Sequence, residues 1–219
     1  MTDSLPPGGV VAETAELEAR WAHAWTPEEA AERLRGCGVR WCVAGGWAVD
    51  LFRGEGPTRP HEDLEIAIPA ARFPQLREHF AGYAFDVVGD GRIWADAPAD
   101  ALAAHHQTWL REPADGDYRL DVFREPHDGE LWICRRDPAI RLPYEAVIAH
   151  TAEGIPYLVP EVALLFKAKA ARPKDRADFE GALPLLGPAR RARLRGWLER
   201  VHPGHRWLAE LAEPAESGE

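Results

Sequence analysis

The chain has only three cysteines, Cys37, Cys42 and Cys134, an odd number with no C-x-x-C pair. This excludes a disulfide framework and a structural zinc site, and it fits a reducing compartment. Long apolar runs are missing as well. The start, Met1 to Gly9, has neither the basic opening nor the apolar stretch of a secretion signal, and no segment is long enough to span a bilayer, so a soluble cytoplasmic protein is expected. Net positive charge is also lacking: 26 Lys and Arg face 36 Asp and Glu, a formal charge of −10. Such a field attracts cations and repels polyanions. Proteins that live on nucleic acid draw much of their affinity from a basic face that releases counterions, so the overall balance argues against a nucleic-acid partner. The local exception is the run Arg190, Arg191, Arg193, Arg195, Arg200 and Arg206, which contains only Glu199 as an acid; a solvated helix face accounts for it. Internal repeats are absent.

With 219 residues and 46% hydrophobic content, the chain can bury one good core plus a small helical appendage. The pattern predicts a tail over 1–12, a main domain over 13–159, a helical domain over 160–211 and an acidic tail over 212–219. Glu13 to Trp25 and Pro27 to Arg35 read as helices, the second opened by Thr26 as N-cap with Pro27 behind it. Trp41 to Ala44 suits a short buried strand; Gly45-Gly46 breaks it, and Trp47 to Phe52 continues as helix. Beyond a polar loop over Gly54 to Pro60, Leu64 to Ile68 alternates as a strand, closed by Pro69. Arg72 to Phe80 has amphipathic helical spacing. Phe85 to Val88, Gln107 to Leu110 and Tyr118 to Phe123 are further strand candidates, the last two joined by a hairpin turn at Asp115-Gly116. From Pro160 the character becomes helical: Glu161 to Ala171, Asp175 to Leu186 and Ala189 to Val201.

Residues at i and i+2 of a strand project to one face, so Asp63 and Glu65 can share a divalent ion. A charge placed between Leu64 and Ile66 is costly unless solvent, a counter-ion or a metal meets it. Upstream, the bare N–H groups of Gly45 and Gly46 at a strand exit can approach phosphate oxygens without obstruction. A third acid, Asp121, alternates with Leu120 and Val122 in another strand. Three strand-borne acids with a glycine turn suggest metal-assisted phosphoryl chemistry. The adjacent His105 and His106 would point to opposite faces of a strand and lack ligand spacing. Trp94, Trp109 and Trp132 fall in strand-like runs and read as core or cleft wall.

These residues carry a family likeness. Val43 to Asp50 followed by Thr58 to Ile66 resembles the nucleotidyltransferase superfamily, whose pattern of a hydrophobic residue, Gly, Gly or Ser, a spacer, then Asp, hydrophobic, Asp or Glu, hydrophobic is met by Ala44-Gly45-Gly46 and Asp63-Leu64-Glu65-Ile66. The branch it is most similar to is the aminoglycoside 2″-adenylyltransferases. The resemblance implies an α+β fold of the polymerase beta-like type, a mixed sheet with flanking helices and a C-terminal helical unit. It implies two Mg²⁺ ions on Asp63, Glu65 and Asp121, ATP or another nucleoside triphosphate as co-substrate, and transfer of a nucleoside monophosphate to a hydroxyl of an aminoglycoside-like antibiotic. Asp121 matches the third carboxylate, as metal ligand or general base. Gly45 and Gly46, with Arg59 and His61 before the acids and one of Lys167, Lys169 and Lys174, are the expected nucleotide contacts. Two features depart from the pattern: the spacer of 16 residues from Gly46 to Asp63 is long, and Glu65 stands where Asp is commoner. Glu65 motivates the alternative of a catalytically weak nucleotide-binding member; the arginine run motivates that of a toxin-system enzyme modifying protein or tRNA.

Overall fold

The computed structural model describes residues 5–170 and 172–212. Residues 1–4 and 213–219 of the expected tails, and Ala171 at the end of an expected helix, lie outside the described residues. In chain order the elements are α1 (Thr14–Arg20), α2 (Pro27–Arg33), β1 (Cys42–Val43), α3 (Gly45–Arg53), β2 (Glu65–Pro69), α4 (Phe73–His79), β3 (Ala84–Gly89), β4 (Arg92–Trp94), α5 (Ala99–Ala104), β5 (Gln107–Arg111), β6 (Tyr118–Glu125), β7 (His127–Asp128), β8 (Leu131–Ile133), β9 (Arg141–Pro143), α6 (Tyr144–Val147), β10 (Ile148–His150), β11 (Pro156–Leu158), α7 (Pro160–Lys167), α8 (Pro173–Ala182), α9 (Pro188–Val201) and α10 (Trp207–Ala212). Among the described residues, no helix is long and apolar enough to cross a membrane. Backbone contacts divide the chain into two compact units, Met1–Trp41 with His61–His127 and Cys42–Pro60 with Asp128–Glu219.

The first unit is built on a mixed sheet in the order β2-β6-β5-β3-β4. β2 runs parallel to β6; the remaining pairs are antiparallel. The hairpin between β5 and β6 turns at Asp115-Gly116, where Gly116 takes a φ of 81°, a left-handed conformation that costs glycine little. Leu64, Ile66, Leu110, Leu120 and Val122 are fully buried, and Phe73 of α4 meets Phe85 of β3 edge to face at 5.2 Å. α2 begins where its cap dictates: the Thr26 hydroxyl accepts from Glu29 N–H at 3.3 Å, and the Glu29 carboxylate accepts from Thr26 N–H at 2.9 Å.

Within the stretch expected as a tail, Pro6 to Val10 are fastened to β4. The Trp94 indole N–H donates to the Pro6 and Pro7 carbonyls at 3.1 Å, and Val10 and Ile93 exchange both backbone hydrogen bonds at 2.9 Å. A Cβ on Gly9 would stand 2.5 Å from the Trp94 ring, so only glycine lets the chain lie this close. Covering a tryptophan that is left 1% exposed is what holds the segment down.

In the second unit β11 lies between β1, its parallel partner, and β10, its antiparallel one, and β8 and β9 form a separate hairpin pair. α7 is buried along nearly its whole length, from Pro160 to Leu165, because α3, α8 and α9 pack around it. α10 closes the helical part through Trp207, fully buried and stacked on Phe179 of α8 with centroids 4.2 Å apart.

Removing the α2 cap isolates one local contribution: Thr26→Ala should cost about 1 kcal/mol and lower the melting temperature by roughly 2–4 °C, read by thermal denaturation.

Candidate active site

Three expected acids meet in the first unit. Asp63 lies two residues ahead of Glu65, and in the parallel ladder Glu65 is the direct partner of Asp121 while Asp121 N–H donates to the Leu64 carbonyl at 2.8 Å. One ligand atom from each of Asp63, Glu65 and Asp121 lies within 4.8 Å of the others, the only such group of metal-ligating side chains among the described residues. Asp63 and Glu65 are half-buried; Asp121 is 1% exposed.

The two oxygens of Asp121 differ. Oδ2 accepts from Gln107 Nε2 at 2.5 Å, whereas Oδ1 is buried and closes no hydrogen bond. A buried carboxylate oxygen left so is costly unless protonated or met by a cation. The proton is the metal-free solution: burial first, then the charges of Asp63 and Glu65, push the Asp121 carboxyl well above the carboxylate range, against the smaller opposing pull of Gln107 and Trp109. A divalent ion fits the same geometry, since three hard oxygen donors lie within 4.8 Å of one another and Asp121 Oδ1 closes no hydrogen bond.

Asp86 supplies the contrast. It is the cross-strand partner of Trp109, which is in turn the partner of Asp121, so all three side chains share one sheet face. Asp86 is 2% exposed yet fully used: Arg111 donates to both oxygens at 2.8 and 3.2 Å, Tyr118 O–H at 3.1 Å and Asp96 N–H at 3.0 Å. One buried acid on this face is scaffold; the other is left with open valence. Trp109 between them is half-buried, packed edge to face on Trp21 at 5.3 Å, and its indole N–H closes no hydrogen bond.

In the second unit, Gly45 opens α3 directly at the exit of β1 because its φ of 60° is left-handed, and Gly46 is buried behind it. Arg59 and Lys167, both expected at the nucleotide, converge on Asp178. Arg59 Nε and NH2 donate to its two oxygens at 3.2 and 3.1 Å, and Lys167 Nζ lies 2.7 Å from Asp178 and 3.5 Å from Asp175. Lys167 is buried, Lys169 exposed and Lys174 half-buried. Thr58, beside Arg59, donates its hydroxyl to the buried Asp50 at 2.7 Å, which fixes the polar loop. In the first unit His61 is half-buried, and the histidine pair parts, His105 stacking on Trp94 and His106 on Phe123.

Five arginines of the run are engaged within the chain. Arg190 and Arg193 clasp the buried Glu161 at 2.6 and 2.9 Å, Arg195 pairs with Glu199 and Arg200 with Asp137, and Arg191 caps the Leu183 and Leu186 carbonyls.

Sequence reasoning did not single out Gln107 beside Asp121 or Asp178 beside Arg59 and Lys167, and it read Trp109 only as core or cleft wall. The Asp115-Gly116 turn carried the signal for two of them: counting back from it along both strands sets Trp109 opposite Asp121, once the bulge at Leu110 and Arg111 is allowed for. For Asp178 there was no local signal.

Because the folded Asp121 holds a proton that the unfolded chain has released, stability falls as pH rises from the ordinary carboxyl value of 3.8 through the raised one. The loss is about 1.4 kcal/mol per pH unit, roughly 3–5 °C in melting temperature. Asp121→Asn is neutral throughout, so in chelator its melting temperature should exceed the parent's by a margin that grows from pH 4 towards neutrality; curves that stay parallel would contradict the burial argument.

The comparisons with known proteins agree with this geometry. The family model for aminoglycoside-2″-adenylyltransferase matches residues 28–107, a little over a third of the chain, which include both glycines, Asp63 and Glu65. No curated protein sequence matches the chain. Among solved structures, the lincosamide antibiotic adenylyltransferase LnuA, lincomycin-bound, is similar at 18% identity with a TM-score of 0.50, over 78% of this chain and 97% of that one. ANT(2″)-Ia in complex with adenylyl-2″-tobramycin is similar at 15% identity with a TM-score of 0.52, over 79% and 95%. With its mixed sheet and flanking helices, the chain therefore has the fold of these nucleotidyltransferases, and it is the aminoglycoside-2″-adenylyltransferases that its residues 28–107 resemble.

Proposed function

We propose that this protein transfers AMP from ATP to a hydroxyl of a small cationic molecule of the aminoglycoside type. The observation that carries the reading is the convergence of Asp63, Glu65 and Asp121 within 4.8 Å, with one buried oxygen of Asp121 unengaged. These three residues would hold two Mg²⁺ ions. Such ions, when bound, offset charge on the triphosphate and on the reacting phosphoryl group. The chain's own part is to bind and orient. Gly45 and Gly46 would offer backbone N–H groups to phosphate oxygens at the start of α3. Arg59, held by Asp178, and His61 would flank the acids in sequence. Lys169 or Lys174 would meet the leaving pyrophosphate, whereas Lys167, engaged by Asp175 and Asp178, would position rather than bind. The acceptor hydroxyl forms its bond to the α-phosphorus as the bond to pyrophosphate breaks, and its proton passes to a base, for which Asp121 is the candidate if it does not serve as third ligand.

The formal charge of −10 favours a cationic acceptor. The pairing of Arg190, Arg193, Arg195 and Arg200 with acids of the same chain supports this reading over a nucleic-acid substrate. The deciding assay is pyrophosphate release with Mg²⁺ and ATP across aminoglycosides, lincosamides and tRNA. Release with an aminoglycoside is the expected result; release with tRNA alone, or none with any acceptor, would overturn it.

Asp63 would hold the ions together with Glu65 and Asp121, and it is expected to be the least replaceable of the three. Asp63→Asn should lower turnover about a thousandfold or more, several kcal/mol of transition-state stabilisation, while melting no lower than the parent without metal because a repulsive charge is gone. Near-parental pyrophosphate release by this variant would sink the two-metal reading. Glu65→Asp should hold or raise activity with Mg²⁺ if the longer acid limits octahedral coordination.

A further inference from the structure

Gln107 belongs to none of the motifs that the superfamily pattern names, yet its amide donates to Asp121 Oδ2 at 2.5 Å. It opens β5, half-buried, two residues ahead of Trp109 and therefore on the face that carries the acids. Its backbone is held in register: Gln107 pairs with Phe123, Thr108 with Val122 and Trp109 with Asp121. The amide thus reaches Asp121 Oδ2 from a fixed position on the neighbouring strand.

The need for such an anchor follows from the torsion of the acid itself. Rotation about the last bond of an aspartate is broad, and nothing intrinsic separates its two oxygens. Asp63 and Glu65 repel the Asp121 charge, so an untethered carboxylate would turn its oxygens away from the pair with which it must share a cation. A donor on the far oxygen opposes that rotation.

We propose that Gln107 is a positioning residue that differentiates the two oxygens of Asp121, engaging Oδ2 and so presenting Oδ1 to the cation shared with Asp63 and Glu65. The inference rests on reading the triad as a metal site. Outer partners of ligating carboxylates are commonly worth about 10- to 100-fold in metal affinity, and this is the size expected here.

The test is Mn²⁺ binding to the full chain without nucleotide, followed by the electron paramagnetic resonance signal of free Mn²⁺. The parent should bind saturably and Asp63→Asn should lose that binding. Gln107→Met, near in volume but without the donor, should weaken Mn²⁺ about 10- to 100-fold while keeping a cooperative melt; if it does not fold, Gln107→Thr, strand-compatible and too short to reach, takes its place. A structural role would act equally in any background, so the cycle with Asp121→Asn is decisive: once Asp121 is Asn, Gln107→Met should cost little further affinity. Affinity within about twofold of the parent, or an undiminished loss in the Asp121→Asn background, overturns the role of Gln107 while parental binding leaves the triad reading standing. A parent that binds no Mn²⁺ overturns both.

Discussion

The parallel pairing of β2 with β6 is the constraint on which the site depends. It places Glu65 opposite Asp121 and ties Asp121 N–H to the Leu64 carbonyl, so three carboxylates are held together by a backbone ladder that side-chain repulsion alone cannot open. A slip of one residue would turn Leu120 or Val122 to the acid face and Asp121 into the core, at a cost far above what the repulsion could recover. The like charges are therefore trapped. They can be relieved by a proton on Asp121 or by a cation between the three, and this couples the stability of the sheet to occupancy of the site.

What separates scaffold from site on this sheet face is hydrogen-bond accounting. Asp86 and Asp121 flank Trp109 on adjacent strands and are about equally buried. Asp86 has a guanidinium, a phenol and a backbone N–H; Asp121 has one amide. Desolvation is a penalty for both, but only Asp86 is compensated from within the chain. The second unit shows the scaffold pattern again: Asp178 neutralises Arg59 and Lys167, and Glu161 neutralises Arg190 and Arg193, so four cations that look available in the sequence are spoken for in the fold.

Much of the chain was legible where local chemistry decides the outcome. Thr26 followed by Pro27 and Glu29 is a helix start because the cap satisfies its own backbone donors. Leu64 to Ile68 and Tyr118 to Phe123 read as strands because one face had to be apolar, and Asp115-Gly116 read as the turn joining Gln107–Leu110 to Tyr118–Phe123 because it suits the backbone such a turn needs. The short strands β8 to β11 carried too few residues to show a period. α10 and the anchoring of Pro6 to Val10 depend on covering Trp207 and Trp94, partners far away in sequence.

The sequence by itself determined that Gly45, Gly46, Asp63, Glu65 and Asp121 are the candidates for one kind of chemistry, since residue type and strand periodicity are local properties and the pattern they make is specific. Only the tertiary structure decided which charges remain open for that chemistry. Whether Lys167 is free or clasped by Asp178, and whether Asp121 is satisfied like Asp86 or tethered at one oxygen by Gln107, depends on strand register and helix packing. Those contacts join residues separated by 11 positions in one case and 14 in another, beyond any helical or strand period that a linear reading can follow.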